Sequence, residues 1–238
     1  YDNGKEKYIA ENKYSIYISE NNKLKENTLI YVGKPVEIDD NDVAPLMLAS
    51  WLVQEDLILM RKGEDGWRLA AASLCFPSSW SLREKFSKPL GQIHSPVPGF
   101  ETGSRNDIVI NRIFDNLNPE QPVRRLNWSI YSDDELFHDD RAAEHLRKQD
   151  FENGIFLRVE HQTLRKLPLS GDILFTVRIH IDPLEQLATH PDCSDICRGA
   201  ITLLQKLDAA QLAYKGLTNE RDRLIVRLRE MAEGKAHS

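Results

Sequence analysis

Cysteine is scarce in this chain: three among 238 residues, at Cys75, Cys193 and Cys197. So few thiols exclude a disulfide framework and suit a reducing compartment. They also fall short of the four thiolates that usually hold an iron–sulfur cluster. Cys193 and Cys197 stand four apart, so a helix would place them on one face, where they read as small buried apolar residues. Long hydrophobic runs are missing too. No stretch approaches the ~20 apolar residues of a membrane helix, no signal-peptide pattern is read, and the cytoplasm is the expected compartment. Basic charge is short as well. The net charge is −6, the pI is near 5.7, and the longest basic cluster is Arg124-Arg125, which argues against a nucleic-acid-binding face. No glycine-rich phosphate loop occurs, so the chain is not expected to bind a dinucleotide itself.

What is present is an ordinary globular composition, 41% hydrophobic and 29% charged, with apolar residues spread along the whole length. That supports one large domain or two small ones. Residues 1–28 are polar and rich in lysine and asparagine, with an alternating patch at Tyr14, Ile16 and Ile18. One domain is expected over residues 29–238. Residues 29–32 read as a strand, and Asp39, Asp40 and Asp42 as a solvated turn without the ligand spacing of a calcium loop. Residues 57–60 and 67–76 read as two strands joined by a five-residue loop with two glycines, a hairpin signal. Residues 106–117 carry helical spacing. Residues 126–131 alternate Trp128 and Ile130 with Asn127 and Ser129. Residues 155–159 and 173–181 are the best strands, and Pro168 and Gly171 mark turns within the HQTLRKLPLSGD stretch between them. Residues 133–153 form a charged excursion with a helix at 141–148. One amphipathic helix is expected over residues 194–214, and a last helix capped by Thr218. Strands in adjacent pairs, with helices grouped between and after them, predict an α+β fold: an antiparallel sheet with packed helices and a helical C-terminal extension.

The densest local signal lies at residues 72–100. Leu74, Cys75 and Phe76 end a strand that Pro77 forbids from continuing. Ser81 and Glu84 form a capping-box pattern for a helical turn, and Pro89 closes it. His94 follows Gly91 and is stiffened from behind by Pro96 and Pro98. Proline-restrained backbone holds an imidazole at low entropic cost, as a metal or haem ligand requires, and as an ordinary rigid loop also does.

Seven blocks in order carry a resemblance. They are WLVQEDLILM at 51–60, LCFPSSWSLREKF at 74–86, IHSPVP at 93–98, RRLNWSI at 124–130, LRVEHQTLRKLP at 157–168, ILFTVRIHIDPL at 173–184 and YKG at 214–216. The chain closely resembles the haem-dependent oxidative N-demethylase alpha-subunit family. The resemblance implies a PAS-like version of the fold with haem between sheet and helices. It implies O2-dependent oxidation of a small secondary amine such as dimethylamine with release of formaldehyde, a monooxygenase-like oxidoreductase chemistry. It further implies electrons from separate flavin and iron–sulfur reductase subunits linked to NADPH. A non-catalytic haem-binding PAS-like sensor or redox module stands as the alternative, because fold does not fix function.

Among the seven histidines, His94 alone follows the family pattern, and the resemblance implies that it is the axial ligand of haem iron. His138, His145, His190 and His237 lie in polar surroundings and read as surface residues. His161 and His180 depart from the family pattern. Arg158, Glu160, Gln162 and Arg165 form the densest polar cluster of an otherwise apolar region, and the first three share a strand face. A salt-bridged sheet face is one reading; a haem-facing pocket is the other. In the pocket reading Glu160 and Gln162 are the catalytic candidates. Arg158, Arg165 and Arg178 are candidates for the haem propionates, and Asn127 for a hydrogen bond in the pocket. Glu55-Asp56 admits a catalytic role beside the commoner one of a cap or surface pair.

Overall fold

The structure, a computed structural model, describes residues 28–31, 34–37, 45–78, 80–138, 151–152 and 154–235. The expectations for Tyr14, Ile16 and Ile18, for Asp39, Asp40 and Asp42, for His145 and the 141–148 helix, and for His237 fall outside these residues. A hairpin comes first, β1 (Thr28–Tyr31) against β2 (Lys34–Glu37). One short helix follows, α1 (Pro45–Ser50). The body of the molecule is a five-stranded sheet of β3 (Asp56–Gly63), β4 (Gly66–Ser73), β5 (Val123–Tyr131), β6 (Phe156–Lys166) and β7 (Ile173–Pro183). All its pairings are antiparallel and the order is β4-β3-β7-β6-β5. With its helices this makes an α+β molecule, in which the first and last strands of the sheet are neighbours at its middle.

Cross-strand partners point to the same side of a sheet, so the register sorts the residues into two faces. The front carries Asp56 and Ile58, Phe175 and Val177, Arg158, Glu160, Gln162 and Leu164, and Arg125, Asn127 and Tyr131. The back carries Trp128 and Ile130, Leu157 and His161, and Arg178 and His180. Three helices connect β4 to β5: α2 (Leu82–Lys85), α3 (Leu90–His94) and α4 (Arg105–Asp115). They close over part of the front, burying Leu90 and Phe114 among Ile58, Met60, Leu164 and Ile173. After β7 come a 3-10 helix (Leu184–Thr189), α5 (Cys193–Lys206), α6 (Ala209–Tyr214) and α7 (Arg221–Ala232). Their apolar faces pack together and onto Ile130, Trp128 and Leu157. Leu204, Leu217, Leu224 and Leu228 are buried there, each worth about 1.5–3 kcal/mol relative to exposure.

Several local expectations are corrected. The hairpin turn between β3 and β4 is Glu64-Asp65, and Gly66 supplies the positive φ of 95° that closes it, so the strands run further than the apolar pattern does. Ser81 precedes α2 without a side-chain cap bond, and Pro89 starts α3 rather than ending a helix. β6 runs on past Val159 to Lys166, with Thr163 and Leu164 paired on both sides, and the turn expected at Pro168 and Gly171 follows it. The helix expected over 194–214 is broken: Leu207 adopts an extended ψ of 129° and Asp208 opens α6 with a capping box to Gln211. The last helix begins at Arg221, beyond Thr218. His138, expected at the surface, is 7% exposed; it meets Asp133 at 3.1 Å and stacks on Tyr131.

Candidate functional site

His94 occupies the last position of α3, a five-residue helix seated on the front of the sheet by Leu90 and Ile93. The seat is close. A side-chain carbon added at Gly91 would come within 2.9 Å of Thr102 Oγ1 and 3.0 Å of Asp107 Oδ1. Lys85 Nζ donates to the carbonyl of Ile93 at 2.7 Å, tying α2 to the end of α3. His94 Nδ1 lies 3.1 Å from the Leu90 carbonyl. A carbonyl only accepts, so Nδ1 carries the proton and Nε2 keeps its lone pair. Burial pushes the imidazole below its ordinary value of 6.5; the Leu90 bond opposes this, and the Arg125 and Lys85 charges add to it. The ring is therefore neutral at pH 7 with Nε2 as its available donor atom. Phe100 lies against it at 5.9 Å between ring centres.

On the same front face, β5 and β6 assemble a polar cluster. Glu160 Oε2 accepts from Gln162 Nε2 at 2.8 Å and from Asn127 Nδ2 at 3.2 Å. Period-two alternation puts Glu160 and Gln162 on one side, and the register places Asn127 directly opposite Glu160. Two amide donors fix the carboxylate without neutralising it. The C-terminal segment comes to the same place at the sheet edge. Lys215 Nζ donates to the Trp128 carbonyl at 2.8 Å and lies 4.4 Å from the centre of the Trp128 ring. Burial lowers the Lys215 pKa, with the Glu160 charge pulling the other way; burial and the same charge raise that of Tyr214.

Arg158 shares this face but is committed elsewhere. It is 0% exposed. Its Nη1 donates to the carbonyls of Glu135 and Leu136, and its Nη2 to that of Phe76. Tyr131 lies under the guanidinium at 5.7 Å. Asp56, also buried at 3%, accepts from the N–H groups of Cys75 and Phe76 at 2.6 and 3.0 Å through Oδ1. Burial raises its pKa against those two bonds and the Arg158 charge. Together the pair holds the corner where the chain leaves β4, the corner expected from Pro77. Glu160 takes amides rather than Arg158 as partners, so this face is not a simple salt-bridged one. Arg165 and Arg178 stand on the back of the sheet, Arg165 exposed and Arg178 facing Glu55 at 3.6 Å.

The structure thus brings His94, Asn127, Arg158, Glu160 and Gln162 to one side and leaves Arg165 and Arg178 on the other. Asp56, admitted from the sequence together with Glu55, joins the site, as do Lys85, Arg125 and Lys215, which lie in the recognised blocks. Asp56 directly precedes an apolar run, but its partners are 19 and 20 residues away. Lys215 lay in a recognised block with nothing local to mark its contact. The family model for haem-dependent oxidative N-demethylase, alpha subunit-like proteins matches residues 9–225. The chain belongs to this family. For a haem-dependent oxidative N-demethylase-like chain the donor set fits: a neutral, buried imidazole held in the Nδ1–H tautomer is suited to give Nε2 to iron. Among the described residues no group of three or more His, Cys, Asp or Glu side chains is placed to hold a bare metal ion. No helix among them is long and apolar enough to cross a membrane.

Proposed function

We propose that the chain binds haem through His94 Nε2 at the front of the sheet and carries out oxidative N-demethylation of a small secondary amine. The observation that carries this reading is the His94–Leu90 bond, which fixes the tautomer while burial keeps the ring neutral. Haem, when bound, supplies an iron centre that activates dioxygen. The remaining work falls to the chain. Arg125 and Lys85, whose charges act on His94, would balance haem carboxylates in this reading, and Arg165 and Arg178, on the back face, would not. Glu160 offers a fixed carboxylate to an ammonium group, or accepts a proton from it, while Asn127 and Gln162 hold its orientation. The reaction consumes the secondary N-methyl amine, O2, two electrons and two protons. It gives a carbinolamine and water, and the carbinolamine splits at its C–N bond into formaldehyde and the primary amine. The alpha-subunit description of the family supports a partnered enzyme, with electrons from a separate NADPH-linked flavin and iron–sulfur reductase. A five-stranded antiparallel sheet with its first and last strands adjacent, and helices between the second and third closing on one face, supports a PAS-like arrangement.

Haem titration of wild type and His94→Ala, read by visible absorption, is the test. A Soret band in the wild type that shifts or disappears in the variant is expected; the same band in both moves the ligand away from His94. Formaldehyde release from dimethylamine with a supplied reductant follows. Haem uptake without release would instead favour the non-catalytic haem sensor or redox module.

A further inference from the structure

The back of the sheet divides in two. One end lies under the C-terminal helices, through Trp128, Ile130 and Leu157. At the other end the register lines up Leu126, His161 and Arg178 across three strands, with Arg124 and Arg165 on neighbouring rows and His180 beyond Arg178. Arg124, Leu126, Arg165 and His180 are exposed, Leu126 at 68%. On this face no Asp or Glu occupies a position from Arg124 to Trp128, from Val159 to Arg165 or from Leu174 to His180. Among the described residues the ion pair on the patch is the long Arg178–Glu55 contact at 3.6 Å. Three arginines and two histidines therefore share one face of a protein whose net charge is −6. The summed field of these arginines favours an anionic partner.

The strand that borders the patch says what kind of partner fits. β5 is an edge strand. Lys215 reaches the carbonyl of Trp128 from outside the sheet, so the backbone groups of residues two and four positions earlier, Leu126 and Arg124, also point outward. Among the described residues these outward groups have no hydrogen-bond partner. An open edge accepts an extended polypeptide through main-chain bonds, which a nucleic acid cannot supply. We propose that the Arg124–Leu126 edge and the basic back face beside it are a docking surface for an acidic polypeptide segment of another protein. This inference is independent of the haem reading, since it uses the opposite side of the sheet.

The experiment uses the full chain and a fluorescein-labelled peptide of alternating Glu and Val, followed by fluorescence anisotropy. Binding is expected, weakening about tenfold or more between 50 and 300 mM NaCl as screening shortens the reach of charge. The double variant Arg124→Glu/Arg165→Glu, both exposed positions, should weaken it at least tenfold with unchanged circular dichroism. A control with the same charge change on the C-terminal helices, Lys206→Glu/Arg229→Glu, should not. No binding of the peptide, equal loss in the control, or tighter binding of a duplex DNA of matched charge would each overturn the proposal. So would self-association of the wild type that the double variant abolishes and that excludes the peptide, which would make a second copy the occupant.

Discussion

A histidine that donates from Nδ1 to a backbone carbonyl has made its choice of tautomer before any ligand arrives, and at His94 burial also selects the neutral form. Its folded pKa lies below the unfolded value of 6.5, so the unfolded chain binds more protons. The stabilisation is present above about pH 6.5 and is lost as the pH falls through the folded value. The Tm of the haem-free wild type should therefore fall on acidification below about pH 6.5 more steeply than that of His94→Gln; parallel curves would remove His94 from the account. For Glu160→Gln the expected result is an unchanged Soret band with formaldehyde release reduced by about 10²–10⁴-fold, the range for loss of one acid–base group. Equal loss of haem would assign Glu160 to cofactor binding instead. At this scale the sequence showed what local geometry controls. Alternation alone put Glu160 and Gln162 together and opposed Trp128 to Asn127. It could not show that Arg158 would turn to the carbonyls of Phe76, Glu135 and Leu136, because those partners come from loops far along the chain. His138 looked solvated for the same reason: its neighbours in sequence are polar, but its neighbour in space is the Tyr131 ring.

The helix that carries His94 depends on its fit to α4 and the loop before it. Gly91→Ala places a methyl group against Thr102 and Asp107, and overpacking of this kind costs about 1–3 kcal/mol. The expected outcome is weaker haem binding with little change in β-sheet signal. Unchanged affinity would mean that α3 shifts without disturbing the imidazole. At the C-terminal end, Asp208→Ala removes the cap of α6 and should cost about 0.5–2 kcal/mol in denaturant unfolding. Helix existence was legible here and helix continuity was not. The apolar spacing of α5 runs on towards Leu207 and Ala210, whereas the break is made by an extended backbone at Leu207 and a cap at Asp208. A hydrophobic stripe has no means of recording that. Similarly, β6 was cut short by its polar residues, although pairing on both sides carries it to Leu164 and pairing with β7 carries it on to Lys166.

Two hydrophobic layers hold the molecule together, one under α3 and α4 at the front and one formed by the C-terminal helices. Leu224, buried within the second layer, tests its weight: Leu224→Ala should destabilise by about 2–5 kcal/mol, read as a lower denaturant midpoint. A smaller effect would show that α7 closes over the gap. The α+β class was legible from paired strands and trailing helices, but the sheet order was not, because β3 and β7 recognise each other across most of the domain. That pairing, Asp56 with Val177 through Met60 with Ile173, has a consequence during synthesis. A nascent chain at the ribosome can close the β3–β4 and β5–β6 hairpins as each emerges, yet nothing joins the two halves until β7 has been translated. Contacts this distant in sequence form slowly. Translation arrested before Ile173 should therefore leave two unjoined hairpins and an α3 resting on β3 and β4 alone, without Leu164 and Ile173, so cofactor capture belongs to the finished chain rather than to the growing one.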